Sequence, residues 1–132
     1  MYDDPLAADA ADTSRAPREV ATALWRGWRR CCPACGHGPL LKGYLTVRDH
    51  CPVCGQDFTC QRADDGPAYL TILIVGHVMA PVLLWYFTAF RPAPATLFSL
   101  FAMGSVALSL YLLPRLKGSM VSFQWARRMH GF

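Results

Sequence analysis

A chain of 132 residues has room for one small domain and a membrane element, which excludes a multidomain machine. Its hydrophobic content of 53% and formal net charge of +4 are unevenly placed: all nine acidic residues lie at or before Asp65, and from Gly66 onward the only formal charges are Arg91, Arg115, Lys117, Arg127 and Arg128. Such segregation excludes an evenly amphiphilic soluble domain. No phosphate loop, dinucleotide fingerprint or HExxH motif occurs, so an enzyme is not expected.

Residues 1–17 are mostly Ala, Asp, Ser, Thr and Pro, with little to bury, and are expected to be disordered. They contain no apolar core of a secretory signal. Over 18–30, Val20, Leu24 and Trp28 recur every fourth residue with Trp25 beside them, while Arg26, Arg29 and Arg30 fall on other faces. This predicts a short helix, either lying at a membrane surface with its tryptophans at headgroup depth or packing on the domain that follows.

Residues 31–62 carry the strongest motif. Cys32-Pro33-Ala34-Cys35-Gly36 and Cys51-Pro52-Val53-Cys54-Gly55 share one frame, C-P-x-C-G, with fifteen residues between Cys35 and Cys51. This is the spacing of a four-cysteine zinc ribbon, in which Cys32, Cys35, Cys51 and Cys54 hold one structural Zn2+; iron in a rubredoxin-like site uses the same knuckles. The glycine closing each knuckle allows the positive φ that turns backbone amides toward sulfur. Leu40 to Val47 reads as a short β-hairpin and Gln56 to Arg62 as one more strand. Arg29, Arg30, Lys42 and Arg48 flank the knuckles, either balancing the thiolate cluster or forming a basic face toward anionic lipid. Thiolate ligands imply a reducing compartment.

Residues 68–90 and 95–113 are two uncharged runs, about 35 Å and about 29 Å long as helices, enough to cross a bilayer. The turn over 91–94, Arg-Pro-Ala-Pro, is so short that the spans must form a hairpin. It holds one of the thirteen basic residues, so the positive-inside rule puts both termini and the ribbon in the cytoplasm and the turn in the periplasm. Residues 114–132 read as a basic amphipathic tail on the inner leaflet. The expected fold is a small four-cysteine zinc ribbon of short β-strands, a two-helix transmembrane α-hairpin and that tail.

Other residues carry chemistry more weakly. Cys31 and Cys60 are extra thiols, either passengers or reactive groups, and His37 could exchange with a cysteine ligand. Asp64 and Asp65, at the mouth of the first span, are either a metal, proton or partner site or, through Asp65 with Pro67 at the first turn, a helix cap. His77 lies inside the first span, four residues before Pro81. It is expected to bond Ser105 or Ser109 across the hairpin, or to contact a haem or metal in a partner. Gly76 with Ala80, and Ser105 with Ser109, are small pairs that permit close helix approach.

The two knuckles, Gly38-Pro39-Leu40, Asp65-Gly66-Pro67-Ala68, Gly76-His77 and Lys117-Gly118 through Gln124-Trp125 together resemble the bacterial DUF983 family, and its alphaproteobacterial branch in particular. The resemblance covers about 32–130. It implies an inner-membrane protein with an N-terminal Cys-rich segment, two spans and no assigned activity, encoded in that branch near cytochrome c oxidase subunits and assembly factors. The expected role is a non-enzymatic accessory or assembly protein that meets membrane lipids and a membrane-protein partner, a respiratory oxidase complex among the candidates. The alternative is a metal- or redox-handling factor using Cys31, Cys60, His37 or His77. Nucleic acid is not expected as a partner, because Asp49, Asp57, Asp64 and Asp65 offset the basic residues of the ribbon.

Overall fold

The structure, a computed structural model, describes residues 17–132, so the expected tail over 1–17 lies outside the described residues except for Pro17. Helix α1 spans Val20–Trp28. The ribbon follows with strands β1 (Leu41–Lys42) and β2 (Thr46–Val47), an antiparallel pair in which Leu41 faces Val47 and Lys42 faces Thr46. Gly43, with φ of 85°, makes the turn between them. Helices α2 (Gly66–Phe90) and α3 (Pro94–Ala126) form the hairpin, and a 3-10 turn over Met129–Gly131 ends the chain. The strand expected over 56–62 is reduced to one bridge, His50 to Asp57, which closes the second knuckle as Cys31 to Pro39 closes the first.

Both hairpin helices are long and apolar enough to cross a membrane. At about 1.5 Å per residue, α2 reaches about 37 Å and α3 about 50 Å, against a hydrocarbon core of about 30 Å. Ile72, Phe98 and Met103 are more than 70% exposed, a belt of large apolar side chains that water would not tolerate over this length. Polar side chains in this region bond within their own helix: Thr71 to the Pro67 carbonyl, Thr88 to Trp85 and Ser109 to Ser105. That is the arrangement an apolar medium requires. Among the partly or fully buried positions are Pro67, Thr71, Val75, Met79 and Tyr86 on α2 and Leu97, Phe101, Gly104, Leu108 and Leu112 on α3, and the rings of Tyr86 and Phe101 meet at 5.9 Å. A Cβ on Gly104 would stand 3.8 Å from the Met79 methyl, an ordinary contact, so the two helices run side by side there.

The structure corrects the expected boundary at Pro114. Helix α3 does not stop at Leu113; it runs on through Pro114 to Ala126, and residues 114–126 are its last third rather than a separate tail. Proline removes the amide that would bond the Leu110 carbonyl, a defect that usually ends or kinks a helix. Here the Tyr44 hydroxyl, at the tip of the β-hairpin, donates to that carbonyl. The extension is also held on both sides. Its residues Pro114, Gly118, Val121, Ser122, Gln124 and Ala126 are buried under α1 and the ribbon.

Helix α1 packs on this extension, not on the ribbon alone. Gly27 crosses Gly118 so closely that a Cβ at either would overlap the other's backbone. Ala23 and Gly27 form the buried face, while Trp25 stays 62% exposed. Arg115 donates to the Trp28 carbonyl and lies over the rings of Trp28 and Tyr111. Ser119 donates to the Leu24 carbonyl.

Candidate metal centre

Each knuckle is built by the same local bonds. The Gly36 amide donates to the Cys32 carbonyl at 2.8 Å, and the Gly55 amide to the Cys51 carbonyl at 3.0 Å. Gly36 (φ 74°) and Gly55 (φ 77°) occupy the left-handed region that the sequence demanded of them. The amide of the first cysteine then reaches past its knuckle, Cys32 to the Gly38 carbonyl and Cys51 to that of Gln56. These paired turns aim four thiols at one point.

The four sulfurs of Cys32, Cys35, Cys51 and Cys54 all lie within 4.8 Å of one another, with Cys32 to Cys54 at 3.6 Å and Cys35 to Cys51 at 3.8 Å. A tetrahedral site with metal–sulfur bonds of about 2.3 Å places its sulfurs about 3.8 Å apart. The spacing is far beyond a disulfide bond of about 2.05 Å, and all six cysteines are free. The donor set therefore fits a metal such as zinc. Gly38 has no freedom to be another residue, because a Cβ there would overlap the Cys51 sulfur.

The protonation of the cluster is graded. The Gly38 amide donates to the Cys35 sulfur at 3.4 Å and, as the largest cause, lowers its pKa to about 6. Burial pushes the Cys32 thiol well above its usual range. Cys54 is raised too, first by burial of its inward sulfur although the residue as a whole is exposed. A cation entering the site thus meets one ready thiolate and displaces protons from at least Cys32 and Cys54.

The site sits inside the main apolar cluster. Cys32 and Cys51 are buried with Leu40, Phe58, Ala63 and Val121, and Met120 and Phe132 pack against the group. Phe58 and Phe132 meet edge to face at 6.5 Å. Val121 and Met120 belong to α3, so the ribbon and the helix extension share one core. A polar clasp reinforces it: Gln124 accepts from the Arg62 amide at 2.9 Å and donates to the Arg62 carbonyl at 2.8 Å.

Arg26, which the sequence places away from the knuckles, is the arginine that meets them. Its guanidinium donates to the Pro33 and Ala34 carbonyls at 2.8 and 3.1 Å, within the first knuckle. The signal was available only in three dimensions, since α1 must fold back over the ribbon to bring it there.

The remaining candidates stand apart from the four sulfurs. His37 lies outside the metal-capable group, and its Nδ1–H donates to the Cys35 carbonyl at 2.7 Å. Cys31 and Cys60 are half-buried. Asp64 and Asp65 are exposed, and neither belongs to the metal-capable group. The capping expected of Asp65 is not formed. A side-chain cap needs extended backbone, and Asp65 has φ of −95° and ψ of −13°; Pro67 also removes one of the amides it would serve. His77 does not bond Ser105 or Ser109. Its Nδ1–H donates to the Leu73 carbonyl at 2.7 Å, one turn back on α2, and Ser109 bonds Ser105 instead.

A family model described as "Protein of unknown function (DUF983)" matches residues 41–125, from β1 through the second knuckle and nearly all of α3. No curated protein and no solved structure matches the chain. With the match covering more than half its length, and the cysteine cluster and paired apolar helices in place, the chain belongs to the DUF983 family.

Proposed function

We propose that this protein is a non-enzymatic accessory or assembly subunit of an inner-membrane complex, built on a structural Zn2+ and a transmembrane hairpin with both termini in the cytoplasm. The observation that carries this reading is the closed shell. Four thiols converge at tetrahedral spacing inside an apolar core shared with α3, leaving no ligand position for a substrate. Bound there, zinc supplies cross-linking and not chemistry. The four-thiolate set favours zinc over harder cations, and its reducing side of the membrane agrees with the excess of Lys and Arg on the ribbon flank. The exposed apolar belt of α2 and α3 supports lipid and a partner's helices as neighbours. A respiratory oxidase is the partner suggested by the family resemblance.

The test is a deletion strain together with purification of the tagged full-length protein in mild detergent. The proposal expects co-purification with a membrane complex and reduced oxidase content in the deletion. Full oxidase content and activity in membranes lacking the protein would rule the oxidase out. Isolation of the protein alone after cross-linking in native membranes would rule out the subunit role altogether.

A further inference from the structure

We infer that the cleft between the end of α1 and the β-hairpin binds the phosphate of an anionic phospholipid headgroup. The cleft, about 310 Å3, is lined by Arg29, Arg30, Cys31, His37, Leu41 and Gly43, with Pro39 between them. Two arginines and no acidic residue line it. Among the described residues the ion pair is between His50 and Asp57, so neither arginine meets an acid there. Guanidinium forks match phosphate oxygens in pairs, which makes two adjacent arginines a suitable cradle.

The end of a helix normally repels anions through its bare carbonyls. Here all four last carbonyls of α1 are covered: Trp25 by the Arg29 amide, Arg26 by the Cys31 amide, Gly27 by the Arg30 amide and Trp28 by the Arg115 side chain. Arg30 also holds φ of 62°, in the left-handed region where glycine or asparagine is the usual residue.

The depth of the cleft selects a lipid. Gly43 lines it, and the next residue, Tyr44, reaches the Leu110 carbonyl on α3. Leu110 and Tyr111 are exposed at the end of the uncharged run, and Arg115 lies 4.5 Å from the Tyr111 ring centre and 5.7 Å from that of Trp28. A collar of Trp, Tyr and Arg marks the membrane–water boundary. The cleft therefore opens at headgroup level, where its arginines meet phosphate.

The full-length, metal-loaded protein in mild detergent would be titrated with dioleoylphosphatidylglycerol or dioleoylphosphatidylcholine, with retention read by native mass spectrometry. The wild type is expected to retain the anionic lipid in preference to the zwitterionic one. At about fivefold per basic residue, R29Q weakens retention about fivefold and R29Q/R30Q about twenty-fivefold, with metal content unchanged. R29K/R30K recovers most of it, and R62Q, an exposed arginine outside the cleft, has no effect. Undiminished lipid retention by R29Q/R30Q would overturn the inference; should that double variant lose its metal, undiminished retention by R29Q alone would do so. Displacement of the lipid by millimolar inorganic phosphate would also overturn it, assigning the cleft to the free anion.

Discussion

The two ends of α3 obey different rules. From Pro94 to Leu113 the helix is set by length and apolarity, with Phe98, Met103 and Val106 facing outward and the Ser109 hydroxyl bonded within the helix. From Pro114 to Ala126 each turn has a named neighbour: Tyr44 on the carbonyl before it, Gly27 against Gly118, Cys32 and Phe58 in one core with Val121, and Arg62 on Gln124. A solvent dictates the first part and specific partners dictate the second. Damage should follow the same division, with the extension failing when a partner is lost and the spans persisting.

The widest separation between the two regions is expected from the metal. Substituting Cys51→Ser, or stripping the metal with a chelator, removes on the order of 10 kcal/mol from the ribbon. Amide exchange should rise across 31–62 and along α3 beyond Pro114 while the spans remain protected in detergent. Uniform protection throughout would show that the ribbon core stands without metal.

A smaller break comes at the helix crossing. Gly118→Leu forces a side chain into the Gly27 backbone, so α1 must leave α3. The expected cost is about 3 kcal/mol, seen as a lower thermal midpoint and as new protease cleavage between 17 and 30. The equivalent change at Gly76, where a Cβ meets open space within this chain, should leave the monomer's midpoint nearly unchanged.

Tyr44→Phe sharpens the comparison at the junction itself. It leaves the Leu110 carbonyl without a donor beside Pro114, at a cost of about 1–3 kcal/mol. Exchange should accelerate around 110–118 with the metal still bound. An unchanged rate there would mean that the proline is tolerated without the tyrosine.

The mildest probe is pH. The raised Cys32 and Cys54 thiols hold protons in the metal-free site at neutral pH, whereas Cys35 stays ionised down to about pH 6. Metal uptake therefore releases protons, and affinity falls as pH falls. With at least two protons released, the drop is at least about a hundredfold per pH unit near neutrality, steepening below the Cys35 pKa. Competition against a chromogenic chelator at several pH values would measure that slope, and a flat profile would contradict the assignment.

The sequence made some of this readable and hid the rest for definite reasons. The knuckles were legible because paired C-P-x-C-G turns are local, and the spans because apolar length needs no partner. Long-range contacts were not. Pro114 reads as a helix end unless Tyr44, sixty-six residues before Leu110 along the chain, is known to replace the missing amide. Arg26 reads as a surface charge until α1 lies over the first knuckle. Asp65 and His77 misled in the opposite way: each suggested a longer reach, to a cap or across the hairpin, and the backbone at Asp65 and the nearby Leu73 carbonyl decided otherwise.

The most direct test of the metal-centred account is elemental analysis of the full-length protein, purified in mild detergent without added metal, combined with thiol counting. The account predicts one zinc per chain, six free thiols after denaturation, and loss of the zinc in Cys32→Ser. A metal-free protein whose four knuckle cysteines are paired as disulfides would contradict it.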